Sequence, residues 1–110
     1  MIVANRCLKL RQAETEADVV VRVFAPQPNQ DHWTCECEIE WPEGTRKFAA
    51  HGVDSMQALL LALNMIGSEI YTSDHHKAGS LAWGKPQNGY GFPVPQNLRD
   101  LLIGDDAEFL

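Results

Sequence analysis

Three cysteines and a pair of histidines are the residues with the most evident chemistry. Cys35 and Cys37 are two apart, so on a strand both thiols point to one face about 6.6 Å apart. Together with Cys7 and either His75 or His76 they contain the donors of a Cys₃His zinc site. The spacing lacks the usual two-to-four-residue interval between zinc ligands. Trp33, Ile39 and Trp41 share the same strand face, and that company reads instead as buried free thiols in a core. His75-His76, after Asp74, are able to bind metal or exchange protons. No H-x-x-x-H spacing supports a metal role, and the plain reading is a solvated loop. His32 and His51 stand at strand ends and carry no motif.

Glu36, Glu38 and Glu40 place three carboxylates on one strand face. Neighbours about 6.8 Å apart match the separation of an inverting glycosidase pair. Nothing nearby supplies the apolar pocket that raises one carboxyl group, so the row reads as a solvated face paired with Lys47 and Arg22. Gly84, Gly89 and Gly91 lack the strand before and the helix after that a phosphate loop requires. Tyr90, Phe92, Pro93 and Pro95 are expected to fold back as a lid on the core, an exposed recognition loop being the alternative. No G-x-S-x-G occurs. The chain is therefore expected to have no catalytic residue, cofactor or metal.

The elements that position these residues follow from periodicity. Ile2–Arg11 and Val19–Phe24 read as strands, separated by a polar turn over 12–18 and followed by a proline-broken loop over 25–31. Trp33 to Trp41 alternates apolar and acidic residues, which predicts a strand with one buried and one wet face. Pro42-Glu-Gly44 turns the chain. Thr45–His51 returns with Phe48 and Ala50 inward beside Ile39 and Cys37, and with Lys47 facing Glu38 or Glu40. Asp54 and Gln57 form a capping box for a helix over 54–71. Met56, Leu59, Leu60, Leu63, Ile66, Gly67 and Ile70 make its expected sheet-facing stripe. Ala58, Leu61 and Met65 make a second apolar stripe nearly opposite. Leu81 and Trp83 suggest a short strand, 84–95 a Gly/Pro-rich loop, and Asn97–Ile103 a short C-terminal helix. Residues 105–110 form an acidic tail expected to fray.

This order of strands and then a helix predicts an α+β domain over 1–104. An antiparallel sheet of four to five strands packs on one main helix. With 110 residues the chain suffices for one core without staples. Its net charge of −6 disfavours nucleic acid and anionic membranes as partners and admits a basic protein. The first ten residues do not read as a signal peptide. The odd cysteine count argues against a disulfide framework and for a reducing cytoplasm.

Trp33-Thr-Cys35, the run Gly52-Val-Asp-Ser-Met-Gln-Ala-Leu-Leu-Leu-Ala-Leu-Asn-Met-Ile-Gly67, Leu81-Ala-Trp83 and Gly91-Phe-Pro93 together resemble a family of short bacterial proteins of unknown function. The similarity spans about residues 5–95. It implies a small α+β domain from a bacterium and carries over no site residue. The functional expectation is a non-enzymatic interaction domain. It acts as a homodimer or on a protein partner, through Ala58, Leu61 and Met65. Two alternatives stand beside it: an immunity-like or antitoxin-like acidic inhibitor of a basic toxin, using Glu36, Glu38 and Glu40, and a small metal protein or enzyme using Cys35, Cys37 and histidines.

Overall fold

A computed structural model describes all residues, 1–110. The strands are β1 (Ile2–Gln12), β2 (Thr15–Phe24), β3 (Gln27–Asn29), β4 (His32–Trp41), β5 (Gly44–Gly52) and β6 (Leu81–Ala82). The helices are α1 (Ser55–Tyr71), α2 (Asp74–Lys77), a 3₁₀ turn at Gln96–Leu101, and α3 (Gly104–Phe109). All pairings are antiparallel. The sheet runs β5-β4-β2-β1-β6, with β3 beside β4 beyond the end of β2. The fold is α+β, as the sequence predicts, with six strands because two short ones join.

The alternation in β4 sets the layers. Cys35, Cys37 and Ile39 are buried together with Leu8, Leu10, Val19, Val21, Val23 and Ala50. Phe48 stands opposite Cys37 and Ala50 opposite Cys35, so the hairpin keeps the expected faces with a register two residues further on. The expected turn over 12–18 is instead the end of a β1–β2 hairpin, tightened at Ala13 with φ 54°. Its two faces are both wet there, which erases the alternation. Lys9–Asp18 and Arg11–Glu16 ion pairs line it. Inside the expected loop 25–31, Pro28 enters the short β3 opposite Trp33, at a position where a missing N–H leaves the rest of the sheet intact.

The helix is capped as the sequence predicts. The Gln57 N–H donates to Asp54 Oδ1, and Gln57 Oε1 accepts from the Val53 N–H. Its phase is a correction. α1 packs over β4 and β5 through Ala58, Ala62, Ile66 and Ile70, all fully buried, a row spaced by four residues. Leu59 and Leu63 pack at its margin, while Met56 and Leu60 stand exposed. Ala58, placed by the sequence reading on the outer stripe, lies in the core, and Met65 packs partly against it. Only Leu61 of that stripe is exposed. Large side chains dominate a hydrophobicity pattern, but close approach of helix to sheet selects small ones at the contact.

The inner face that α1 leaves uncovered is closed by the C-terminal segment. Tyr90, Phe92 and Val94 are buried, which is the expected lid. At Gly67, an added Cβ would run into the Pro93 carbonyl, so the missing side chain is what lets the lid lie on the helix. No helix is long and apolar enough to cross a membrane.

Candidate functional site

The acidic tail is helical and partly packed. Residues 104–109 form α3, and Asp106 is only 2 % exposed. A carboxylate this deep must have its oxygens filled, and Asp106 accepts three hydrogen bonds. Tyr71 Oη–H reaches Oδ2 at 2.5 Å, the Tyr90 N–H reaches Oδ2 at 2.8 Å, and the Gly91 N–H reaches Oδ1 at 2.8 Å. The last residues of α1, the lid and the tail therefore meet at one carboxylate. Tyr90 Oη stands 2.6 Å from His76 Nδ1. The rings of Tyr71, Tyr90 and His76 pack mutually edge to face, with centres 4.8–5.5 Å apart.

Burial shapes the chemistry of this cluster. It pushes the Tyr90 phenol up to about 12, aided by the charge on Asp106, and, with the hydrogen bond to Asp106, raises Tyr71 as well. It lowers His76, which favours the neutral ring. Both phenols thus keep their protons, and the donors and acceptors are spent on one another. The cluster holds the segment in place.

Arg6 joins from the other side. It shares the inner face of β1 with Leu8 and Leu10, opposite Val21. Its Nη1 donates to the carbonyls of Tyr90 at 3.0 Å and Gly91 at 3.2 Å. Its guanidinium lies 3.7 Å from the centre of the Trp83 ring and 4.9 Å from that of Phe92, within cation–π range of both. Gly91 has φ +75°, and a Cβ there would strike Arg6 and Trp83, so both backbone conformation and space require glycine. Beside Arg6 a pocket of about 190 Å³ opens between the sheet, Leu63 of α1, Phe92 and Pro93.

The residues singled out in the sequence are scattered. Cys35 and Cys37 are buried free thiols on the inner face, whereas Cys7 is exposed on the outer one. Burial raises Cys35 and pushes Cys37 up to about 12, which holds the thiols protonated and poor metal ligands. His75 bonds Glu43 at 3.0 Å and stacks on Trp41, and that bond lowers the Glu43 carboxyl. His76 faces the tyrosines instead. No three His, Cys, Asp or Glu side chains come together as a metal site. In the acidic row, Glu38 and Glu40 both pair with Arg22, and Lys47 stands across from Glu38. Glu36 is exposed opposite Ala49.

Sequence reasoning missed Arg6, Tyr71 and Asp106. Arg6 had a signal: it falls in phase with Leu8 and Leu10, on the side that faces the core. Asp106 had none, since nothing separates it from Asp105 beside it.

Fold and site together define a two-layer α+β domain whose C-terminal segment is latched to the helix by a buried carboxylate. The chain belongs to the family described as a domain of unknown function (DUF6968), which it matches over residues 4–94. That span includes Arg6, Tyr71, His76 and Tyr90 and stops short of Asp106. No curated protein and no solved structure matches the chain.

Proposed function

We propose that this protein is a non-enzymatic interaction domain that self-associates through the N-terminal half of α1. One observation carries the reading. Val53, just before the Asp54 cap, and Met56, Leu60 and Leu61 in the first turns of α1 are 79 %, 69 %, 55 % and 42 % exposed. Clusters of large apolar side chains in water mark contact surfaces. Leu61 and the partly covered Met65 remain from the stripe read in the sequence, and Met56 and Leu60 replace Ala58.

A second copy is the favoured occupant because of charge. Ser55 to Ser68 contains no charged residue, and Asp54 stands only at the edge of the patch, so two such helix surfaces can meet about a two-fold axis with little burial of charge. The net charge of −6 resides elsewhere. A reducing, cytoplasmic setting belongs to the same proposal, since all three cysteines are free.

Sedimentation of the whole chain tests it. The wild type is expected to form a dimer that Leu60→Glu and Met56→Glu convert to monomer. Their stability should stay within about 0.5 kcal/mol of the wild type, because the altered side chains are exposed. A wild type that stays monomeric at high concentration overturns the reading.

A further inference from the structure

Arg6 is an arginine whose charge no side-chain carboxylate meets, as is Arg99, which donates to the Leu110 oxygen at the chain's end. Arg11, Arg22 and Arg46 each contact a carboxylate, whereas no carboxylate lies in ion-pair contact with Arg6. Asp106 acts on it only at longer range, its own oxygens being taken by Tyr71, Tyr90 and Gly91. The guanidinium is nonetheless held in one orientation. Its carbon lies over the Trp83 and Phe92 rings, and the Tyr90 and Gly91 carbonyls fix Nη1.

That leaves Nε and Nη2, the two parallel N–H groups on one edge of the fork, without a protein acceptor. They are not sealed in the interior, since no buried side-chain nitrogen or oxygen lacks a partner. Arg6 lines the 190 Å³ pocket, whose other walls include Val21, Val23, Leu63, Phe92 and Pro93. A held cation on the wall of a recess whose only other polar side chain is Asn5 matches one ligand chemistry. The N–H pair accepts a carboxylate side-on through two hydrogen bonds, and the walls accept a short hydrocarbon tail. The volume lies below the roughly 300–1,000 Å³ of pockets for larger ligands, which limits the tail to a few carbons. Phosphate suits the site less well, because a single arginine edge leaves most of its oxygens facing hydrocarbon.

We propose that the recess at Arg6 is a binding site for a small monocarboxylate with an apolar tail. The proposal is independent of self-association: the pocket lies under the lid, on the inner face of the sheet, and a monomer would bind as well as a dimer.

Titration of the full chain with sodium hexanoate, followed by ¹H–¹⁵N NMR, tests it. Hexan-1-ol and inorganic phosphate are the comparison probes. Hexanoate should shift the Arg6 side-chain N–H, the Gly91 amide and the Trp83 indole N–H, with a Kd of about 1 mM. Hexan-1-ol should bind roughly tenfold more weakly, and phosphate should leave these signals in place. Arg6→Gln should weaken hexanoate about tenfold. Should that variant fail to fold, Ala4→Phe fills the pocket while leaving Arg6 intact, and it should abolish the shifts. No response to hexanoate, equal binding of hexan-1-ol, or equal shifts from phosphate would each overturn the proposal.

Discussion

The sheet with α1 and the segment from Leu81 to Leu110 are held by different kinds of interaction. The first is a continuous apolar layer, in which Ile39, Val21, Leu8, Ile66 and Ile70 exclude water together. Its stability is spread over many side chains, each contributing through buried area. The second has little regular structure: Leu81, Tyr90, Phe92, Val94 and Leu102 join the same apolar core, but their backbone is fixed by a few directed contacts. These are the Asp106 carboxylate, the Arg6 fork, and the glycines at 67 and 91 that let backbone approach side chain. A distributed layer tolerates the loss of one methyl group. A latch with one carboxylate at its centre does not tolerate the loss of that carboxylate.

The largest expected effect follows from this contrast. Asp106→Ala leaves the Tyr71 hydroxyl and two backbone N–H groups without an acceptor. It should cost about 3 kcal/mol or more, since each buried orphan costs about 1–3 kcal/mol. Chemical denaturation checks the figure. Ile39→Val, which trims one methyl in the distributed layer, should cost only about 0.5–1.5 kcal/mol. Equal costs would erase the distinction between the two regions.

A smaller effect is expected with pH. Burial lowers His76 below its ordinary value of 6.5, so in the window beneath that value the unfolded chain takes up the proton more readily than the folded one. Stability should therefore be full above pH 6.5 and decline as the pH falls through the folded-state value. The loss arises at the tyrosine cluster, where protonation puts a charge on the partly buried His76 ring packed between Tyr71 and Tyr90. Thermal melts between pH 7.5 and 5 should show the decline in the wild type and a flatter profile in His76→Gln. Identical profiles would remove His76 from the latch.

The same division explains what the sequence made legible. β4, β5 and the capping box were readable because alternation, Pro42-Glu-Gly44 and Asp54…Gln57 are local signals. The aromatic lid was readable from its apolar content. The helix phase was misread because Leu60 and Met56 outweigh Ala58 and Ala62 in a pattern, although small residues sit nearest the sheet. The latch was invisible for a different reason. Asp106 meets Tyr71 across 35 positions and Tyr90 across 16, and pairings that distant have no period. The cysteines and acidic row drew attention by type alone. The fold buries Cys35 and Cys37, leaves Cys7 exposed, and pairs Glu38 and Glu40 with Arg22.

The central claim is that Asp106 fastens the lid to the end of α1. Amide hydrogen exchange at Tyr90 and Gly91, whose N–H groups point into that carboxylate, tests it most directly. Slow exchange at both amides in the wild type is expected. In Asp106→Ala it should be lost, while amides in the middle of α1 such as Ile66 stay protected. Exchange of Tyr90 and Gly91 in the wild type at the rate of an unfolded chain would contradict the claim.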